Sequence, residues 1–341
     1  MSKEPKHILV IRLSAMGDVA MTVPVLRAFT KQHPDVKLTV LTRDFFKPLF
    51  RDLENVTVYP AHVKDRHKGL KGLYKLSREI RPLKCDAVAD LHKVLRSKVL
   101  KPMLGIRKVA TINKGRKEKK RLIKGKDFNP LKTTHQRYAD VFKTMGYPID
   151  LSNLTFPEAS QLNENCLKLI GNPNKKHIGI APFAAHDSKM YPLEQMEQVI
   201  EKLSKDYQVL LFGGGKKEIQ ILNYFESEEK GIINLAGKLS FDEELDVISN
   251  LDVMLSMDSG NAHLAAMLGV KTVTIWGVTH PYAGFAPFNQ PEDYCLLADR
   301  TQYPKIPTSV YGNKFPADYK NAAGSIPVET VVSKIKAVIP A

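Results

Sequence analysis

The stretch 253–276 leaves this chain few folds to choose from. Residues 253–257, Val-Met-Leu-Ser-Met, form a short apolar run of the kind that is buried as a strand. Asp258, Ser259, Gly260 and Asn261 make a sharp polar turn, and 262–268 are compact helix formers that stop at Gly269, a natural C-cap. Residues 272–276 are a second buried strand. Strand, turn, helix and strand in that order are the repeating unit of an open α/β sheet. Ligands of such sheets bind beyond the carboxyl ends of the strands, where this turn falls. Ser259 and Gly260 would offer backbone N–H groups at a positive helix end, which suits a phosphate, with Asp258 and His263 beside them. Plain helix capping is the other use of such a turn.

The same pattern runs along the rest of the chain. Residues 8–13 read as a buried strand, 14–18 as its turn and 19–29 as a helix with Pro24 near its first turn. Asp18 stands at the end of that first strand, either as an N-cap or at the functional edge. Strands follow at 37–42, 56–59 and 87–90, and helices at 70–80, 94–104 and 134–145. Residues 157–175 have linker character, with Pro157, Gly171 and Pro173. The pattern then restarts, with strands at 176–181, 208–212 and 232–235 and helices at 193–203, 216–225 and 241–250. At 341 residues the chain is long for one core, so two Rossmann-like α/β domains are expected, 1–156 and 176–325. Residues 326–341 are expected to form a C-terminal helix that packs back on the first domain.

Charge divides along the chain. Residues 1–156 carry 34 Lys and Arg against 14 Asp and Glu, and 157–341 carry 17 against 22. Most of the excess lies in 61–135, with 23 basic and 6 acidic side chains. This half should attract something polyanionic. Its two densest pieces are the 61–69 loop, read as basic and mobile, and the run 114–121, read either as a solvated surface loop or as an anion-binding piece. No apolar run approaches the ~18 residues that span a bilayer. Three scattered cysteines give neither a disulfide framework nor metal-ligand spacing, so a reducing, cytoplasmic setting is expected.

Several chemistries find no support. The triplet Gly213-Gly214-Gly215 is not G-x-G-x-x-G, and no G-x-x-x-x-G-K-[ST] occurs. There is also no D-x-D, H-E-x-x-H or G-x-S-x-G. A nucleic-acid-binding protein using 61–135 remains a rival, but that region lacks interleaved aromatics for base stacking, and no nucleic acid is expected as a partner.

Ile8-Leu9-Val10-Ile11-Arg12-Leu13-Ser14-Ala15-Met16-Gly17-Asp18-Val19, taken with Asp258-Ser259-Gly260-Asn261-Ala262-His263-Leu264-Ala265-Ala266 and Trp276-Gly277, resembles glycosyltransferase family 9. That family comprises the lipopolysaccharide heptosyltransferases of the GT-B fold, with two doubly wound domains facing across a cleft. The resemblance runs over about the whole chain and is weakest at 114–129 and 279–325.

The resemblance implies a metal-independent, inverting transfer of a heptose, most simply from ADP-heptose, to the lipopolysaccharide inner core, with no cofactor. Asp18 matches the family's proposed general base, beside Gly17. Lys189 matches its diphosphate-binding lysine, next to Ser188. Glu218 matches the glutamate that holds the ribose, and Leu239 the wall under the nucleobase. Asp258, Ser259, Gly260 and His263 match the pyrophosphate turn. Lys64, Arg66, Lys68, Arg96, Lys117, Lys119, Lys120 and Arg121 are expected to hold an anionic lipid-linked acceptor and dock the protein on the inner face of the cytoplasmic membrane. A GT-B transferase with another sugar donor and acceptor is the alternative.

Overall fold

A computed structural model describes residues 4–228 and 230–339. The chain forms two compact units, the first comprising residues up to 115 with 132–156, the second 116–131 with 157 onward. In the first unit β1 (His7–Ile11), β2 (Lys37–Thr42), β3 (Val56–Pro60), β4 (Ala87–Asp90) and β5 (Lys108–Thr111) make one parallel sheet in the order β3-β2-β1-β4-β5. The helices are α1 (Met16–Ala20), α2 (Thr22–Gln32), α3 (Gly69–Ile80), α4 (Leu95–Leu104), then α5 (Arg116–Ile123) and α6 (Thr134–Lys143). Because β1 is central, its residues 8–11 are buried on both faces, which is why the run is apolar throughout instead of alternating. On one face Leu9 and Ile11 pack with Leu73 and Leu76 of α3 and Leu100 and Leu104 of α4. Each such side chain contributes roughly 1.5–3 kcal/mol by leaving water.

The second unit holds α7 (Glu164–Leu169), β6 (His177–Ala181), α8 (Leu193–Ser204), β7 (Gln208–Leu211), α9 (Lys216–Glu228), β8 (Ile232–Asn234) and α10 (Phe241–Ser249). These are followed by β9 (Val253–Met257), α11 (Gly260–Met267), β10 (Thr272–Trp276), β11 (Cys295–Leu297) and α12 (Val328–Val338). Its parallel sheet runs β11-β10-β9-β6-β7-β8. The strand–turn–helix–strand unit at 253–276 lies at its centre, with β9 and β10 wholly buried.

Four expectations need correction. The expected 19–29 helix is instead two, α1 and α2, meeting at Met21, so Asp18 lies in the first turn of α1 and not in the loop before it. The 157–175 linker contains α7, capped by Asn163, whose Oδ1 accepts from the Cys166 N–H at 2.8 Å. The run 114–121 is no surface loop: from Arg116 it is α5, and with the chain to 131 it belongs to the second unit. There Leu131 N–H donates to the Tyr282 carbonyl at 2.9 Å, and Phe128 meets His280 edge-on and Tyr282 at a tilt, under the Arg300 guanidinium. Last, α12 belongs to the second unit. Its stripe Val331, Val332, Ile335 and Val338 completes the second core, and Lys202 and Lys336 pair with Glu329 and Asp206 at 2.8 and 2.7 Å.

This division also relocates the charge. Counted by unit, the first carries 27 Lys and Arg against 12 Asp and Glu, and the second 24 against 24. The whole net charge of +15 therefore belongs to the first unit.

Candidate functional site

In a doubly wound sheet the ligand edge lies where successive strands turn to opposite sides of the first one. In the first unit that point is between β1 and β4, and in the second between β6 and β9. Both candidate clusters sit at these points.

In the first unit, Arg12 leaves the end of β1 almost fully buried. Its Nη2 pairs with Oδ2 of Asp18, and its Nη1 donates to the Leu91 carbonyl at 2.8 Å. The guanidinium carbon stands 5.9 Å from the Tyr138 ring centroid, and the Tyr138 hydroxyl donates to the Asp18 carbonyl at 3.3 Å. Asp18 is therefore held from both sides. Gly17 precedes it on α1, half-buried. Behind this pair, Asp90 is wholly buried at the end of β4. It accepts from the N–H groups of His92 and Lys93 at 3.0 and 2.8 Å and from Ser97 Oγ at 3.0 Å, and pairs with Lys101 at 2.7 Å. His92 Nδ1 accepts from the Leu13 N–H at 3.4 Å, so the proton sits on Nε2. Burial first, then the Arg12 and Lys114 charges, push the His92 pKa down to about 4.

In the second unit, the chain after β6 makes a tight turn that aims Lys189 at the end of β9. Lys189 Nζ lies 2.8 Å from Oδ2 of Asp258, and Thr279 Oγ1 donates to the same oxygen at 2.8 Å. Asp258 is thereby spent on these two partners and does not cap α11. Nor does Ser259, whose side chain makes no cap hydrogen bond and whose Oγ meets Ser256 Oγ at 3.1 Å. The positive end of α11, begun at Gly260, is left without a side-chain cap beside a lysine. His263 is buried one turn further on. Glu218 folds back in the first turn of α9, its Oε2 accepting from the Gly214 N–H at 2.7 Å. Leu239, half-buried, follows β8. Lys189, Glu218, Leu239 and Asp258 thus follow β6, β7, β8 and β9, four strands that share one carboxyl edge.

Ser188 corrects the expectation that it contacts a donor. It is wholly buried, and its Oγ donates to the Gly312 carbonyl at 2.6 Å while its own carbonyl accepts from Val278 N–H at 3.2 Å. Its hydroxyl braces the Lys189 turn against the 279–325 region. Gly312 has a left-handed φ of +81°, and a Cβ there would stand 2.6 Å from Lys189 Cγ. Only glycine lets the loop approach the lysine stem so closely.

The basic residues expected to hold an acceptor are divided between the two units. Lys64, Arg66 and Lys68 lie in the turn after β3, and half-buried Arg96 lies on α4. Within the turn His67 is fully buried, its Nδ1 accepts from His62 N–H at 3.0 Å, and its Nε2 meets Glu79 at 3.1 Å. Arg66 pairs with the same Glu79, so its charge is answered within the unit. Lys117, Lys120 and Arg121 are exposed on α5, in the second unit. Lys119 on that helix is buried, with its ammonium 3.8 Å from the Phe285 ring centroid, and is not an exposed contact for acceptor.

Arg12, Asp90, His92, Thr279 and Gly312 were missed in the sequence. Arg12 interrupts an apolar strand, and Asp90-Leu91-His92-Lys93 is a polar cluster directly after one, so both carried a visible signal. Among the described residues, no group of three or more His, Cys, Asp or Glu is placed to hold a metal ion, and no helix is long and apolar enough to cross a membrane.

Residues 73–312 match the family described as glycosyltransferase family 9 (heptosyltransferase). Across the chain there is 22% identity to the lipopolysaccharide core heptosyltransferase OpsX of Haemophilus influenzae, covering 98% of this chain and 97% of that one. Lipopolysaccharide heptosyltransferase 1 of Campylobacter coli is 25% identical over 81% of this chain and 85% of its own. Among solved structures, the family 9 glycosyl transferase of Veillonella parvula superposes with a TM-score of 0.78 at 18% identity, covering 99% and 98% of the two chains. The E. coli heptosyltransferase WaaC with ADP gives 0.67 at 18% identity, covering 97% and 99%.

Proposed function

Since the chain belongs to glycosyltransferase family 9, we propose that it moves a heptose from ADP-heptose to an anionic, lipid-linked saccharide of the lipopolysaccharide core, from the cytoplasmic side. The observation that carries this reading is Lys189 held beside the uncapped start of α11. A lysine tied to Asp258, two residues before a helix N-terminus that has no side-chain cap, would supply with that terminus the two charges that a departing diphosphate needs. The relatives support the sugar: one matched structure is of E. coli WaaC with ADP-2-deoxy-2-fluoro heptose.

In this mechanism Oδ1 of Asp18 takes the proton of the acceptor hydroxyl. The acceptor oxygen forms its bond to the sugar's anomeric carbon from the face opposite the diphosphate, inverting it, while the bond to the diphosphate oxygen breaks and ADP departs. The charge appearing on the β-phosphate is met by Lys189 and the amides of Gly260 and Asn261. Glu218 offers its second carboxylate oxygen to the ribose hydroxyls, and Leu239 backs the base. Arg12 and Tyr138 hold Asp18 in place for that step. Lys64, Lys68 and Arg96 in the first unit, with Lys117, Lys120 and Arg121 in the second, attract the acceptor's phosphates and acidic sugars.

The test is a donor panel against heptose-free lipopolysaccharide. ADP-heptose should yield ADP and a heptosylated acceptor, and ADP should stabilise the protein more than UDP or GDP. Transfer from a different nucleotide sugar, with ADP giving no stabilisation, would replace the donor assignment.

A further inference from the structure

The outward face of α3 carries a side-chain set that the transfer chemistry does not use. Its inner face is filled by Gly72, Leu73, Leu76 and Ile80. Its outer face presents Leu70, Lys71, Tyr74, Lys75 and Arg78, with Leu70 66% and Tyr74 53% exposed. The two apolar residues are one helical turn apart and share a stripe. The helix's only acid, Glu79, turns inward to Arg66, His67 and Tyr59, so the outer face has no carboxylate. α4 packs beside α3 over the same core, and its first residue, Leu95, is 77% exposed with Lys98 exposed one turn on. Both helices begin at the carboxyl edge of the sheet, the edge that bears Asp18.

A single exposed leucine needs no explanation. Three large apolar side chains near the starts of two adjacent helices, set among lysines with no outward acid on either helix, are the composition of an interfacial helix face. Apolar tips enter the headgroup boundary while lysine ammoniums reach up to phosphate. This face also lies on the unit that holds the protein's entire net charge. We propose that the outer face of α3 and the start of α4 seat the first unit on an anionic phospholipid surface, with Leu70, Tyr74 and Leu95 inserted and Lys71, Lys75 and Lys98 on the headgroups. The proposal deepens the reading of a lipid-linked acceptor and rests on it, because such an acceptor must be met at the bilayer.

The test is co-sedimentation of the full chain with acceptor-free vesicles, either phosphatidylethanolamine with phosphatidylglycerol or phosphatidylcholine alone. Wild type should bind the anionic vesicles and not the zwitterionic ones, and added salt should release it. Leu70→Ser/Tyr74→Ser keeps every charge, and Lys71→Glu/Lys75→Glu keeps both apolar residues. Each should lower binding about tenfold or more, and a Leu70→Trp reporter should shift its emission to the blue on binding. Transfer to a soluble, acyl-free acceptor should be unchanged in both double variants. Loss of that transfer in wild type would undo the functional reading, while wild type that transfers but ignores anionic vesicles would undo this one. Equal binding by wild type and Leu70→Ser/Tyr74→Ser would overturn insertion. A larger species in sedimentation equilibrium without lipid, abolished by the same variant, would assign the face to a second copy of the chain instead.

Discussion

Lys189 Nζ and the Asp258 carboxylate stand 2.8 Å apart, joining the turn after β6 to the end of β9. Neither side chain is exposed enough for this to be a solvated surface pair, and Asp258 also accepts from Thr279. The ammonium therefore has one defined position beside the start of α11 before any ligand arrives.

Lys189→Ala should lower kcat/KM by ~10²-fold or more and weaken ADP binding as well, because the charge is met in both ground and transition states. Asp258→Asn should retain the lysine but lose its placement, giving a smaller drop in the same direction. Isothermal titration with ADP and steady-state kinetics read both. Unaltered ADP affinity in Lys189→Ala would remove the lysine from the donor site.

Asp18→Asn should lower kcat by ~10²–10⁴-fold while ADP affinity holds, since the carboxylate is needed for the proton and lies in the other unit. Arg12→Lys keeps the charge but not the two-pronged grip on Asp18 and the Leu91 carbonyl. It should give an intermediate loss in kcat with acceptor KM little changed. Near-normal turnover in Asp18→Asn would end its assignment as base.

How much of this was legible depends on how local the determinant is. The unit at 253–276 is legible because strand, turn and helix are adjacent in sequence, and Asp18 stands just past an apolar strand, whereas Lys189 is picked out only by the family resemblance. α5 looks like a loop in sequence because five basic residues among 116–121 dominate it, and the partners of Phe128 and Lys119 lie more than 150 residues away, at His280 and Tyr282 and at Phe285. α12 was assigned to the wrong unit for a related reason: its apolar stripe is visible, but a stripe says only that something covers it. β5 and β11 are short edge strands that lack the run of buried apolar residues marking the inner strands. Gly312 carries no signal of its own, because its role is to be absent at Cβ.

Gly312→Ala tests that role. The added methyl meets Lys189 Cγ and Cδ at 2.6 and 2.7 Å, on a backbone with φ of +81°. A cost of about 1–2 kcal/mol in stability is expected from the strain, along with weaker ADP binding although residue 312 has no side chain to offer a ligand. Ser188→Ala, which frees the Gly312 carbonyl, should act in the same direction. ADP titration alongside thermal denaturation decides it, and a Gly312→Ala protein that binds ADP as wild type does would show that the loop does not position the lysine.

Glu244, on α10, gives a pH signature. Burial pushes its carboxyl up to about 7 from an ordinary 4.5. Between those values the folded chain holds a proton that the unfolded chain has released, so stability falls as pH rises from about 4.5 to 7. The full loss is on the order of 3 kcal/mol above that window. Glu244→Gln removes the titration, so its Tm advantage over wild type should be small at pH 4.5 and grow towards pH 8. An advantage that stays constant over this range would contradict the shifted carboxyl.

The α5 helix separates two roles that its sequence mixes. Lys117, Lys120 and Arg121 face solvent, whereas Lys119 is buried over the Phe285 ring. Reversing the three exposed charges to Glu removes no packing, so Tm should hold, while acceptor KM should rise at low salt and the effect should shrink as ionic strength screens the attraction. Lys119→Glu places a carboxylate against the negative face of an aromatic ring with little water to solvate it. That should cost about 2 kcal/mol or more and loosen the 116–131 segment, visible as earlier proteolysis there. Because this segment belongs to the same unit as Lys189 and Asp258, Lys119→Glu should also disturb ADP binding, which the triple reversal leaves alone. If the triple variant handles acceptor normally at low salt, the exposed face of α5 takes no part in acceptor capture, and that work falls to Lys64, Lys68 and Arg96 in the first unit.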